Sequence, residues 1–198
     1  MSYSQVGIIN MGLGKMGEGS ISALSVAGDT KSFVAAAIWE YIRDEVLQAH
    51  DWNFAKAEVE LSQDATYVSL AKWDYRYAKP ASCLRIRKVR DEYDNYVEYE
   101  GMGDYLYSNW DNSTGGSLYI EYTTVITDPT KYTASFVSAL SCRLASEFSL
   151  KLSPGNQKLQ DRMMNYYEVA LSNAIGVNQS RGYVEDEAGY DSWIKAGR

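Results

Sequence analysis

Val46-Leu47-Gln48-Ala49-His50-Asp51-Trp52-Asn53-Phe54-Ala55-Lys56-Ala57-Glu58-Val59-Glu60-Leu61 is the stretch on which the fold turns. Before it, apolar residues recur at helical spacing: Val34, Ile38, Ile42, Val46 and Ala49 share one face, with Tyr41 and Glu45 beside them. After it, Ala57, Val59 and Leu61 alternate with Glu58 and Glu60, the period of a strand with one covered face. The chain therefore passes from helix to sheet within a few residues. Trp52 and Phe54 stand at the corner, where we expect them to pack the junction, with Arg43, Asp44 and Glu45 on the exposed side of the helix.

Working backward, Asp29 or Thr30 caps a helix of about 20 residues that ends near His50 and Asp51. Residues 5–17 read as a short helix, or as a strand followed by a glycine-rich turn. Working forward, antiparallel β structure is expected over residues 54–127. Pro80 holds an extended lead-in to a strand over Cys83–Val89, in which Leu84 and Ile86 alternate with Arg85 and Arg87. Tyr96, Val97 and Tyr99 suggest another strand. Leu118, Ile120 and Tyr122 form a last one, stopped by Asp128-Pro129. Gly101, Gly103 and Asn112–Gly116 are turn signals. Helical spacing returns with Phe136, Leu140, Leu144, Phe148 and Leu152. Ser153-Pro154-Gly155 breaks that helix, and a second carries Leu159, Met163, Tyr166, Ala170 and Ala174 to about Ile175. The expected fold class is α+β: an α-helical bundle domain (1–53 and 128–178), an inserted antiparallel β domain (54–127) and an extended C-terminal arm (179–198).

Composition narrows the chemistry. The 198 residues carry a net charge of −7, against the basic patch of a sequence-reading DNA binder. The 17 Tyr and 5 Trp suit either an interface-rich surface or a Tyr-rich sheet. The N-terminus lacks a basic segment followed by an apolar run, so synthesis in the cytoplasm is expected, and no stretch approaches a membrane span. Cys83 and Cys142 read as free thiols. His50, the single histidine, allows neither a Ser/His/Asp set nor zinc-ligand spacing, and reads as a local cap. The acidic run Asp91, Glu92, Asp94, Glu98, Glu100 and Asp104 lacks calcium-loop spacing and reads as a solvated hairpin face. Asn112 and Asn178 open formal glycosylation sequons that carry no weight without a secretory signal. Catalytic, cofactor and metal residues are thus expected to be none.

One motif points elsewhere. Gly12, Gly14 and Gly17 match G-x-G-x-x-G after Val6, Gly7, Ile8 and Ile9, the form of a dinucleotide-binding turn in an NAD-linked oxidoreductase. Such a turn needs a βαβ unit around it. Here a second glycine-rich stretch and then a long amphipathic helix follow, so the pattern is expected to be accidental. A further alternative is a glycan-binding module built on the Tyr-rich 54–127 region.

Four segments, taken in order, resemble a known family. They are Asn10–Gly17, Ile21–Leu24, Arg43-Asp44-Glu45-Val46-Leu47-Gln48-Ala49-His50-Asp51-Trp52-Asn53-Phe54-Ala55, and Tyr77–Arg85. They look like the head-to-tail adaptor of short-tailed bacteriophages, the tail tubular protein A family, and Tyr190–Ile194 shares its character. The Arg43–Ala55 stretch is the specific part. Gly12, where the family usually has Ala, and Gly14 depart from its pattern. The resemblance implies a structural dodecameric ring under the portal protein and above a tail nozzle of the tail tubular protein B type, located in the virion neck. It implies passage of DNA through the ring without sequence reading, no membrane contact and no cofactor. The arm is expected to dock on portal or on a neighbouring subunit through Tyr190, Trp193 and Ile194.

Overall fold

The computed structural model describes residues 3–69 and 72–180. The chain opens with helix α1 (Gln5–Met16) and continues with α2 (Thr30–Gln48). Six strands and the short helix α3 follow: β1 (Lys56–Leu61), β2 (Tyr75–Ala78), β3 (Cys83–Asp91), β4 (Glu100–Met102), β5 (Tyr105–Ser108), α3 (Asn112–Gly115) and β6 (Leu118–Thr124), with 3₁₀ turns at Asn53–Ala55 and Pro129–Lys131 on either side. The hairpin α4 (Ala134–Leu152) and α5 (Gln157–Gln179) completes the described chain. The fold is α+β, with the antiparallel β region set between helices.

Two apolar cores follow from this order. The helical core gathers Ile8, Ile9 and Leu13 of α1, Trp39, Ile42 and Val46 of α2, and Phe136, Leu140, Leu144 and Phe148 of α4. Tyr167 and Ala174 of α5 close it. The β core is filled by Leu61, Tyr77, Val89, Leu106, Leu118 and Ile120. Its two sheets have the orders β1-β6-β3 and β2-β5-β4, with every pairing antiparallel. The bridge from Gln63 to Tyr77 links the first sheet's chain to the second.

Residues 5–17 form one helix rather than a strand and turn. Ser4 caps it through Gly7 N–H, and Gly17 ends it at φ 82°, a left-handed conformation that glycine adopts without a Cβ clash. Gly12 has a packing reason. A Cβ there would lie 3.0 Å from the Ser141 carbonyl oxygen and 3.3 Å from Leu144 Cβ, so its absence lets α1 press closely onto α4. Around Gly14 nothing lies within 4 Å.

The helix α2 is rotated relative to the expected face. Ser32, Ala35, Trp39, Ile42, Arg43, Val46 and Leu47 are buried, while Val34 and Ile38 are only half-buried. Arg43 was expected at the surface and is instead 6% exposed, with its Nε 2.8 Å from Asp44 Oδ1. Its guanidinium is paired with Asp44, whose carboxylate offsets the cost of burying the charge. Glu45 faces α4, where Arg143 Nε donates to it at 3.1 Å and Arg143 Nη1 donates to Glu147 at 2.7 Å. In α5 the buried tyrosine is Tyr167, beside Met163 and Ala174, and Tyr166 lies 48% exposed. This helix also runs on to Gln179, past the expected end near Ile175, so Gln179 belongs to α5 and not to an arm.

The β region differs in detail. Tyr96, Val97 and Tyr99 are not a strand, although Tyr96 bridges to Arg90 and the Val97 N–H reaches the Val89 carbonyl. The hairpin is β4–β5 instead, turning at Gly103, and β2 was not anticipated. Asp91, expected on a solvated face, is 4% exposed. It accepts from Tyr93 N at 2.9 Å, Asn95 N at 2.8 Å and Asn95 Nδ2 at 2.8 Å. These donors, the Asn95 side chain foremost, hold its carboxyl below the usual range. The carboxylate therefore builds a turn, with Asp94 at φ 65° at its tip.

Among the described residues no helix is long and apolar enough to cross a membrane. The glycine contacts lead to opposite outcomes for two neighbouring substitutions. Gly12→Ala should lower the thermal midpoint, because a backbone oxygen cannot move aside. Gly14→Ala should stabilise by about 1 kcal/mol through helix propensity alone. Paired melting curves check both.

Candidate functional site

The corner after α2 is the most elaborately bonded part of the described chain. A short 3₁₀ turn, Asn53–Ala55, redirects the backbone from α2 into β1. Trp52 is fully buried at its start, and its Nε1 donates to the Val46 carbonyl at 2.8 Å. That bond satisfies a carbonyl in the last turn of the helix and fixes the indole against it. The ring meets Phe136 edge-on at 5.2 Å between centroids, and His50 likewise at 5.2 Å. Phe54 meets Phe136 at 5.0 Å and lies 6.0 Å from Tyr132. Tyr132 donates its hydroxyl to the Ile126 carbonyl at 2.6 Å, and burial pushes its phenol up to about 12. Trp52 and Phe54 thus join α2, α4 and the segment that returns from β6.

Two polar systems tie this corner to the rest of the chain. From the β side, Arg87 Nη2 donates to the Trp52 carbonyl at 2.8 Å and its Nε donates to Thr123 Oγ1 at 3.0 Å. Arg85 and Arg87 both pair with Asp51. Both arginines therefore project from one face of β3 toward the junction. From the helical side, Asn178 does the work. Its Oδ1 accepts from Asn53 N–H at 3.0 Å, and Asn53 Nδ2 donates to the Asn178 carbonyl at 3.1 Å. Asn178 Nδ2 contacts the Asp51 carbonyl at 3.0 Å and His50 Nε2 at 3.1 Å. The last turn of α5 is thereby fastened to the interdomain corner.

Asn178 was read from sequence only as part of a sequon. The usable signal was its position: Met163, Tyr167, Ala174 and Asn178 continue one buried helical face, so it is a polar residue where the pattern calls for an apolar one. Burial lowers the His50 imidazole below its usual 6.5, with Arg85 and Arg87 acting in the same direction and Asp51 against them. A neutral ring with its proton on Nδ1 leaves Nε2 free to accept from Asn178. Tyr190, Trp193 and Ile194 lie outside the described residues, as does the arm beyond Ser180.

A second feature is a groove of about 580 Å³ on the β2-β5-β4 sheet, lined by Tyr67, Trp73, Arg76, Met102 and Tyr107 among others. Its charges are already matched internally. Arg76 lies 4.2 Å over the Tyr105 ring and bonds Asp64 at 3.0 Å. The Thr66 hydroxyl foremost, with Arg76, holds the Asp64 carboxyl down at about 2. Lys72 reaches Glu100 at 3.6 Å, and Glu100 accepts from Trp73 Nε1 at 2.7 Å. What it offers a ligand is aromatic edge and apolar surface.

The G-x-G-x-x-G glycines lie inside α1 and at its cap, with no tight strand-to-helix turn. Among the described residues no group of three His, Cys, Asp or Glu side chains is arranged to hold a metal ion. Cys83 is half-buried, which raises its thiol above the usual value, and Cys142 is buried. No protein-family model and no curated protein matches the chain.

The junction geometry sets two expected outcomes. Asn178→Ala leaves Asn53 N–H without its acceptor and should cost about 2 kcal/mol, read by denaturant unfolding. His50 takes up a proton more readily in the unfolded chain than in the fold. Its contribution is complete above pH 6.5 and is lost as pH falls below that value toward its lowered native one. The midpoint should therefore drop between pH 7.5 and 5.5, and His50→Gln should flatten that slope in the same scan.

Proposed function

We propose that this chain is the structural subunit of a head-to-tail adaptor ring, joining a portal protein to a tail nozzle in a short-tailed bacteriophage. One observation carries the reading most of the way. Arg43–Ala55, the stretch with the most specific resemblance to that family, is also the stretch that builds the corner between the helical and β regions. Arg43 is buried against Asp44, Trp52 closes the end of α2, Asn53 holds α5 through Asn178, and Phe54 packs onto α4. A ring subunit under load needs such a stiff joint between the part that contacts portal and the part that contacts the tail.

The role is structural in this reading, and residues 181–198 supply the docking arm with Tyr190, Trp193 and Ile194 as its anchor. In support of this reading, Asn178 fastens the last turn of α5, from which such an arm would start, to the corner after α2. The net charge of −7 suits a lumen that repels DNA phosphate during passage. A second reading, a tail-associated glycan-binding module, is favoured only by the aromatic groove at Tyr67, Trp73 and Tyr107. Binding of a glycan panel by the purified chain would move weight toward it.

Mixing the purified chain with portal and imaging the product tests the proposal. The expected product is a twelve-fold ring seated on portal. A folded chain that leaves portal bare would count decisively against it. Truncation after Ser180 should preserve the melting curve while reducing portal occupancy at least tenfold.

A further inference from the structure

The helical region carries two apolar surfaces that nothing in the described chain covers, and they lie on different flanks. The first is a stripe on α2. Phe33 and Tyr41 are 50% and 66% exposed, and Ala37 between them is exposed as well. Their spacing of four residues places all three on one side of the helix. At about 100° per residue that side points away from Ala35, Trp39, Ile42 and Val46, which face the core. The second is a groove of about 460 Å³ between α4 and α5, with Lys15 of α1 at its rim. Cys142, Tyr166, Val169, Asn173 and Val177 line it, and Val169 is 55% exposed. Its α4 residues, Ser135, Ser138 and Cys142, lie on the opposite flank of that helix from Arg143 and Leu140, whose side faces α2.

A helix that presents apolar side chains three or four residues apart along one face is the usual occupant of an apolar groove of this kind. Charge agrees with this pairing. Glu40 flanks the stripe and Lys15 flanks the groove, and neither forms an ion pair among the described residues. We infer that the α2 stripe of one copy seats in the α4–α5 groove of the next, with Glu40 meeting Lys15. The two surfaces are different patches of one chain, so the contact is heterologous, and a joined pair keeps one free stripe on one copy and one free groove on the other. Such a contact propagates head to tail and closes as a ring when the rotation per copy permits. This rests on the adaptor reading for its biological setting, and it names the faces that meet.

The test is site-directed cross-linking in the full chain, with Cys83 and Cys142 replaced by Ala and native folding checked by circular dichroism. Ala37→Cys and Val169→Cys in the same chain, treated with a short bis-maleimide at high protein concentration and again on portal, should give a ladder beyond dimers. A mixture of the two single variants should stop at dimers. Glu40→Lys or Lys15→Glu alone should reduce the ladder about threefold, as befits a rim ion pair, and the two together should restore it. A folded double-cysteine chain that never cross-links would overturn the proposal, and so would a ladder indifferent to both charge changes. If Val169→Cys reacts with a maleimide dye only after residues 181–198 are removed, the chain's own arm fills the groove and the proposal fails. Rings on portal without cross-links between positions 37 and 169 would leave the adaptor reading standing and remove this interface. A ladder without portal binding would do the reverse.

Discussion

The side chain of Asn178 satisfies the corner at which the chain leaves its helices, and the two-part architecture depends on that corner. A turn between a helix and a strand leaves backbone donors and acceptors without ladder partners, and each one that is shut off from water costs on the order of 1–3 kcal/mol. Here one amide side chain accepts from Asn53 N–H and faces the Asp51 carbonyl and the His50 ring. Arg87 takes the Trp52 carbonyl from the other side. With those groups satisfied, Trp52 can be wholly buried and Phe54 can reach α4. The long-range partner matters because Asn53 follows the first helical segment and Asn178 ends the second, 125 residues apart in the chain. The corner is complete only when both are in place.

Charge inside the fold follows the same economy. Arg143 sits 8% exposed in α4, yet it meets Glu45 of α2 and Glu147 of its own helix. Arg76 and Asp64 pair at the aromatic groove, and Asp91 is consumed by its own turn. The acidic surplus of the composition is therefore not spread evenly. Several of its most prominent carboxylates are internal fittings, whereas Glu40 forms no ion pair among the described residues.

Much of this was legible in the residues. The change of period at Trp52, the cap at Asp29, the break at Pro154 and the strands around Leu84 and Ile120 all appear in the fold. These features have local causes, and local causes leave periodic traces. What was misread turns on side-chain partners that periodicity does not encode, some of them adjacent in sequence and some distant. Arg43 and Glu45 look like solvent-facing charges until Asp44 and Arg143 are placed beside them. Asp91 looks like one of many surface acids until the turn folds around it. Gly12 belongs to a recognisable nucleotide pattern, but its reason is the Ser141 carbonyl across the helix interface. Asn178 was hidden because an asparagine on an apolar stripe signals a partner without naming it. Tyr190, Trp193 and Ile194 fall beyond the described residues.

The pairing of β1 with β6 has a further consequence. Lys56 lies opposite Thr123, so the chain enters the β region and leaves it on adjacent strands, about 5 Å apart. Seen from the helices, some seventy residues occupy the place of a single hairpin loop. So long as the β3 arginines that reach Asp51 and the Trp52 carbonyl are kept, the rest of the β region can be shortened or enlarged beyond that neck while α2 and α4 keep their own contacts. A lineage of such proteins could therefore hold its helical framework constant while remodelling the inserted part to suit a different partner.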